Sequence, residues 1–243
     1  AAPTGPIVIG HQCELTGGFS AWGYWHDKCA KAAVKMINDG GGIAGRKVEM
    51  AIEDTESNPA AGSRKLRSLI ERRKASFVVG SVHSGIMLAS IPIATELKTP
   101  YFSAGEATEA TGSKGSRYSF RTGTDTYALA AAGAPWAYKN LGKTWTMIFP
   151  DYAWGHSHHQ EHKKLIEGLG GKVNDPIAVP LGTKDLVPYL SKIPKNTEVL
   201  FSVFFGALSV AFYTQQKAMR LDEKMKMYSV SGTIECIDPR DIG

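Results

Sequence analysis

The chain has 243 residues, 43% of them hydrophobic, which is enough to build a core and excludes an intrinsically disordered protein. Its formal net charge is +5, but 28 Lys and Arg residues are mixed with 23 Asp and Glu residues and form no long basic block. Proteins that bind nucleic acid concentrate their positive charge, so this pattern argues against a nucleic-acid partner. No apolar run approaches the length of a membrane span.

The first elements alternate between strand and helix. Residues Pro6 to Gln12 form an apolar run that predicts a buried strand, and Ala21 to Asn38 have apolar residues at helical spacing. A glycine-rich turn, Gly40 to Gly45, ends this helix and precedes a second strand, Val48 to Ile52. A phosphate-binding loop would follow a strand, so these glycines do not indicate a nucleotide site.

The apolar run Phe77 to Gly80 ends in small polar residues, Ser81 to Gly85, just before a predicted helix, Ile86 to Leu97. The first amide groups of a helix have no partner inside the helix, and the helix dipole is positive at that end. The pattern therefore predicts a site for an anion such as a carboxylate at this helix entrance.

Continued strand–helix alternation predicts an α/β fold with doubly wound, mainly parallel sheets. A short strand at Tyr118 to Arg121 ends the first series, and a second series follows it. We therefore predict two α/β lobes, residues 1–121 and 122–243. In the second lobe the predicted helices are 126–140, 155–168, 185–192 and 207–219, and the predicted strands are 144–149, 172–179, 198–205 and 226–230.

Ligands of open α/β sheets bind beyond the carboxyl ends of the strands. The residues at these positions are rich in aromatic and small polar side chains. Three aromatic residues there are followed directly by glycine, which allows the backbone to approach a ligand closely. The candidate binding residues from this argument are Phe19, Trp22, Ser84, His83, Trp154 and Phe205.

Catalytic patterns are scarce. Neither Ser81 nor Ser84 has the glycine spacing of a nucleophile elbow, and His83 has no identifiable third member of a triad. His158 and His162 are one helical turn apart within a group of four histidines, but H-E-x-x-H is absent. We interpret this group as the solvated face of a helix and predict no catalytic residue and no metal site.

The three cysteines are Cys13, Cys29 and Cys236, an odd set without the C-x-x-C spacing of zinc sites. A bridge between Cys13 and Cys29 is possible, and two buried free thiols are the favoured alternative.

Taken together, the motifs resemble those of type I periplasmic solute-binding proteins, in the leucine/isoleucine/valine-binding branch that serves ABC importers. The resemblance runs through nearly the whole chain, and its pieces are short but specific in their order and spacing. They are Ile7-Val8-Ile9-Gly10, Leu15-Thr16-Gly17, Ile37 to Arg46, Glu53-Asp54 with Pro59, Val79-Gly80 with Ser84, Pro100 to Gly105, Phe120-Arg121 and Asp151 to Gly155. It implies a clamshell of two Rossmann-like lobes that closes on a small solute.

The resemblance also implies binding roles for particular residues. In the first lobe, the ligand contacts of the family correspond to Trp22, Ser84, Gly105 and Ala107, and in the second to Trp154 and Phe205. The family's acidic residue for a ligand ammonium would fall near Gly232 or Thr233, neither of which is charged. Unless Glu106, Asp151 or Glu235 replaces it, carboxylic acids should bind more tightly than the corresponding α-amino acids.

The function implied is that of the extracytoplasmic substrate-binding component of an ABC uptake transporter, with a membrane permease as partner and no cofactor. The alternative is the same clamshell used as the sensing domain of a regulator or receptor. The small residues Ala1 to Gly5 are typical of a chain after signal-peptide removal, although trimming would give the same start, so a periplasmic location is expected. Family chains continue past the position of Gly243, so the C-terminal part of the fold is expected to be missing.

Overall fold

A computed structural model describes residues 5–230. The chain divides into two compact units, with the boundary between Thr124 and Asp125. Each unit contains a parallel β-sheet with helices, which confirms the predicted α/β class. None of the helices between residues 5 and 230 combines the length and apolar character needed to cross a membrane.

The first unit alternates strictly between strands and helices up to β4. Its strands pair in parallel in the order β2-β1-β3-β4-β5. The elements are β1 (Ile7–Cys13), α1 (Ser20–Asp39), β2 (Val48–Asp54), α2 (Pro59–Glu71), β3 (Phe77–Gly80), α3 (Ser84–Glu96), β4 (Tyr101–Ser103), a 3-10 helix (Thr108–Ala110) and β5 (Ser119–Arg121).

The second unit has the sheet order β10-β9-β6-β7, and β8 also pairs with β6. Its elements are α4 (Thr126–Asn140), β6 (Thr144–Pro150), α5 (Ala153–Gly168), β7 (Lys172–Val173), β8 (Ile177–Val179), α6 (Val187–Leu190), β9 (Val199–Ser202), α7 (Gly206–Ala218) and β10 (Lys226–Tyr228). The strand predicted at 172–179 is interrupted because Pro176, between β7 and β8, has no amide hydrogen for the ladder. The helix predicted at 185–192 is reduced to the four residues of α6.

The turn after α1 is fixed by a side chain that links the helix to the next strand. Asn38 donates from Nδ2 to the carbonyl of Val48 (2.9 Å) and accepts from the Val48 amide at Oδ1 (2.8 Å). This pair of bonds imitates one step of a β-ladder. The glycine-rich turn is therefore a structural connection between α1 and β2.

The core of the first unit lies where β1, β3 and β4 pack on α2 and α3. It contains a buried hydrogen-bond network around Gln12. Gln12 Nε2 donates to the carbonyl of Gly62 (2.7 Å) and to Ser90 Oγ (3.0 Å). The hydroxyl of Tyr101 donates to Gln12 Oε1 (2.6 Å), and Tyr101 is fully buried. One side chain thus joins the sheet to both helices.

We expect Gln12→Leu to lower the free energy of unfolding by about 2–4 kcal/mol, because it removes three bonds and leaves the Tyr101 hydroxyl buried without its acceptor. Urea denaturation followed by circular dichroism measures this loss. Ser63→Ala is the matched control, because the Ser63 hydroxyl bonds only to the nearby Ala60 carbonyl on the outside of α2. A loss below about 1 kcal/mol would contradict the assigned role of Gln12.

Candidate functional site

The carboxyl ends of β1, β3 and β4 lie side by side, because these strands are neighbours in a parallel sheet. The segments that follow them carry Glu14, the Ser81–Ser84 turn, and Gly105 with Ala107. The structure therefore brings the predicted residues Ser84, His83, Gly105 and Ala107 to one edge of the first unit. All four residues are buried there.

His83 caps the entrance of α3. Its Nδ1 accepts hydrogen bonds from the amides of Gly85 (3.0 Å) and Ile86 (3.3 Å). The prediction of unpaired entrance amides is wrong for these two groups, because the imidazole takes the place of an anion. Burial lowers the pKa of His83 to about 4, so the ring is neutral at pH 7 and its proton is on Nε2.

Ser84 connects the α3 entrance to the segment after β4. Its Oγ accepts from the amides of Glu106 (3.0 Å) and Ala107 (3.2 Å). The side chain is fully buried, and its hydroxyl proton has no acceptor among residues 5–230. Ser84 is therefore a fixed hydroxyl with one hydrogen-bond donor left to offer.

Gly105 and Ala107 contribute to this edge through shape. The Gly105 amide donates to Ser103 Oγ (3.2 Å), and a Cβ at Gly105 would lie 3.1 Å from Met87 and from the Ser84 backbone. Because the Gly105 amide is paired with Ser103 and the Ala107 amide with Ser84, neither predicted backbone amide is available in this conformation. Among the predicted polar contacts, the Ser84 hydroxyl is the one with unused capacity.

Glu14 is a site residue that the sequence argument missed. It directly follows β1 and is fully buried, and its Oε1 accepts from Ser81 Oγ at 2.6 Å. The strand is predicted to end at Gln12 and the first predicted binding residue after it is Phe19, so Glu14 lies between the two predictions. An acid at a strand end is a signal that could have identified it.

Asp54, at the end of β2, organises the loop after Glu14. Its carboxylate accepts from the amides of Leu15 (3.0 Å) and Thr16 (3.2 Å) and from the Thr16 hydroxyl (2.7 Å). Desolvation opposes ionisation, but these bonds together with one from the Glu56 amide hold the pKa of Asp54 below its usual value. The loop that leads into α1 is thus held by an ionised carboxylate.

The two aromatic residues predicted in this loop differ in exposure. Phe19 is buried, with its ring centroid 4.6 Å from that of His83. Trp22, on the first turn of α1, is 45% exposed. Gly23 follows it, and a Cβ there would lie 1.9 Å from the carbonyl oxygen of Glu14, so only glycine allows α1 to pack against the end of β1.

In the second unit, Trp154 and Phe205 lie together beyond the ends of neighbouring strands β6 and β9. Their ring centroids are 5.6 Å apart at an interplanar angle of 72°. Tyr152 completes an aromatic cluster, 6.0 Å from Trp154 and 6.1 Å from Phe205. The two contacts of Phe205 are edge-to-face and that between Tyr152 and Trp154 is tilted, and together they define an apolar surface at the strand ends of this unit.

The histidine group on α5 corrects the sequence interpretation. His158 and His162 are fully buried, although a solvated helix face was predicted. Trp154, His158 and His162 are four residues apart and so lie on one face of α5. This face packs against the sheet, where the ring of His162 stacks on that of Phe201 with a centroid distance of 4.1 Å. Desolvation lowers the pKa of His158 well below its usual value and that of His162 to about 4.

Within the described residues, the ring of His156 lies 2.7 Å from a carboxylate oxygen of Asp151, and both side chains are exposed. In the part of the chain that the structure describes, no group of three His, Cys, Asp or Glu side chains is arranged to hold a metal ion.

Cys13 and Cys29 are both free thiols. Cys13 is buried, its Sγ donates to the carbonyl of Gly23 (3.3 Å), and burial raises its pKa to about 12. Cys29 is exposed on α1, so the prediction of two buried thiols is wrong for this residue. Cys236, Gly232, Thr233 and Glu235 lie outside the described residues.

A sequence profile of the family described as periplasmic binding protein matches residues 6–239. The chain belongs to this family. The resemblance drawn from the sequence motifs is therefore confirmed at the family level, and the fold is that of a type I periplasmic binding protein.

Two curated relatives and one solved structure illustrate the similarity. The Leu/Ile/Val-binding protein homolog 1 of Brucella suis is 26% identical over 230 residues, which are 93% of this chain and 60% of that protein. The leucine-, isoleucine-, valine-, threonine- and alanine-binding protein of Pseudomonas aeruginosa is 29% identical over 205 residues, 82% of this chain and 53% of that protein. A solute-binding protein of an ABC transporter from Rhodopseudomonas palustris BisB5, solved with 3,4-dihydroxybenzoic acid, is 25% identical with a TM-score of 0.79, covering 92% of this chain and 61% of that one. This periplasmic binding protein therefore spans 53–61% of the length of these three relatives.

Proposed function

We propose that this periplasmic binding protein is the extracytoplasmic substrate-binding component of an ABC uptake transporter, and that its ligand is a small carboxylate. The relatives support this proposal, because two are named for the amino acids that they bind and the third was solved with an aromatic acid. All of these ligands carry a carboxylate. On this proposal the protein works in the periplasm, delivers its ligand to a membrane permease, and needs neither a cofactor nor a nucleic-acid partner.

The observation that carries the proposal is the buried Ser84 hydroxyl, which offers a hydrogen-bond donor with no acceptor among the described residues. A carboxylate oxygen is a strong acceptor and would satisfy this donor. Because the bonds to Glu106 and Ala107 fix the Ser84 oxygen in place, little conformational entropy is lost when the ligand binds.

The aromatic cluster of Tyr152, Trp154 and Phe205 is an apolar surface of the second unit that suits a branched or aromatic side chain. Binding sites for small ligands are mostly apolar, with few but well-placed polar groups. Taken by itself, the second unit thus offers an apolar surface of the kind that branched or aromatic side chains bind.

A thermal-shift screen of aliphatic acids, aromatic acids, amino acids and amides tests the proposal. A ligand at one hundred times its Kd should stabilise the protein by about 2.7 kcal/mol, which gives a clear increase in Tm. We expect hits among the carboxylates and none among the amides. A screen in which no carboxylate raises the Tm would contradict the proposed function.

Ser84→Ala should weaken binding of any carboxylate hit at least tenfold, about 1.4 kcal/mol, because the donor is lost. Ser63→Ala removes a hydroxyl from the outside of α2 and serves as the matched control. Calorimetry measures both variants. Unchanged affinity in a folded Ser84→Ala variant would show that the carboxylate is held elsewhere.

A further inference from the structure

Glu14 has an unused carboxyl oxygen in the interior of the first unit. Its Oε1 accepts from Ser81 Oγ at 2.6 Å and from the His83 amide at 3.4 Å. Its Oε2 is buried and has no hydrogen-bond partner in the described part of the chain. An acceptor left in this state is costly, and in native proteins it calls for a specific explanation.

The carboxyl group is held in a defined position. The backbone of Glu14 packs against α1 where Gly23 has no side chain. The hydroxyl that binds Oε1 belongs to Ser81, which has a φ of +53°, in the left-handed region that non-glycine residues seldom occupy. Strained positions of this kind cluster at binding sites.

No lysine or arginine described in the structure forms an ion pair or hydrogen bond with Glu14. The carboxyl group therefore has no internal counter-charge at contact distance. A neutral donor would satisfy Oε2 as a hydrogen bond only, whereas a cationic donor would also supply the missing charge.

The same sheet edge offers the complementary group. Glu14 follows β1 and Ser84 opens the helix after β3, and β1 and β3 are paired neighbours. One residue has a free acceptor and the other a free donor. An α-amino acid presents the matching pair, an ammonium and a carboxylate.

We propose that Glu14 is a specificity-determining residue that binds the ammonium group of an α-amino acid. This inference rests on the proposed function and refines it. It replaces the expectation that deaminated acids bind more tightly, which considered Gly232 and Thr233 and did not count Glu14. Glu14 and Ser84 are fully buried, so this proposal requires the first unit to open locally before the ligand binds.

Calorimetry with two matched ligand pairs tests the inference: leucine against 4-methylpentanoate, and phenylalanine against 3-phenylpropanoate. In the wild-type protein we expect at least one amino acid to bind tenfold or more tightly than its deaminated partner. Glu14→Gln should weaken that amino acid at least tenfold and leave the deaminated acid within about threefold. Glutamine keeps the side-chain shape and an oxygen for Ser81, but it carries no charge.

Glu49→Gln is the control, because Glu49 is an exposed residue of β2 and its substitution should leave all affinities unchanged. Glu14→Met serves as a second neutral variant if Glu14→Gln does not fold. The inference is overturned if wild-type protein shows no preference for either amino acid, if a folded neutral variant keeps the preference, or if both neutral variants are unfolded.

The role of Glu14 and the proposed function are refuted by different results. If the deaminated acids bind and the amino acids have no advantage, the role of Glu14 is wrong while the proposed function stands. If no member of either pair binds and the wider carboxylate screen is also negative, the proposed function itself fails.

Discussion

Acidification from pH 7.5 to pH 5 is expected to lower the free energy of unfolding by several kcal/mol through four buried histidines. Burial lowers the pKa of His83 and of His162 to about 4, that of His158 well below 6.5 and that of His11 below 6.5. In the unfolded chain these rings regain a pKa near 6.5. Between these two pKa values the unfolded state binds more protons than the folded state. The contribution of the neutral buried rings to the free energy of unfolding is therefore fully present above about pH 6.5 and is lost as the pH falls toward 4.

A group with pKa values of about 4 folded and 6.5 unfolded loses about 2 kcal/mol of stability between pH 7.5 and pH 5. His162→Phe should reduce this pH dependence, because phenylalanine fills the stacking position on Phe201 without a titrating ring. Guanidinium denaturation at a series of pH values measures it. Ser63→Ala is the control, because it removes no titrating ring. A wild-type stability that stays constant from pH 7.5 to pH 5 would contradict the burial of these histidines.

Gly80→Ala is expected to be the most damaging small substitution in the first unit. Gly80 has a φ of +136°, and a Cβ there would lie 1.9 Å from the carbonyl oxygen of Gln12 on the neighbouring strand. Backbone strain of about 1–3 kcal/mol and overpacking of a similar size should together cost about 2–6 kcal/mol. The separation of β1 and β3 would also displace Ser81 and Glu14.

Gly123→Ala is the matched control, because a Cβ at Gly123 has no atom within 4 Å. Urea denaturation of both variants gives the comparison. If Gly80→Ala unfolds at the same urea concentration as Gly123→Ala, the close approach of β1 and β3 at this point is wrong.

Much of the fold was predictable, because it depends on local patterns. Apolar runs bounded by glycine and small polar residues located β1 and β3, and helical spacing located α1. The strand predicted at 172–179 lies in the correct place, but the structure divides it into β7 and β8, because the prediction did not take account of Pro176. The position of Ser84 at a helix entrance also followed from the sequence.

The burial of individual polar side chains was not predictable in the same way. The four-residue spacing of His158 and His162 fits either the solvent-facing or the sheet-facing side of a helix. In the structure His162 packs against Phe201 of β9 and Tyr228 of β10, so this side of α5 faces the sheet. The capping role of His83 depends on its ring folding back onto its own helix. The hydrogen bond between Glu14 and Ser81 depends on the pairing of β1 with β3, which places the carboxyl group of Glu14 beside Ser81.

Calorimetric titration of a carboxylate identified in the screen and of its primary carboxamide tests most directly whether the Ser84 hydroxyl binds the carboxylate of the ligand. The two molecules have almost the same shape, but only the acid presents an anionic acceptor to the Ser84 hydroxyl. We expect one site per chain, an affinity for the acid at least tenfold higher than for the amide, and loss of this difference in Ser84→Ala. Equal affinities for acid and amide in the wild-type protein would contradict this expectation.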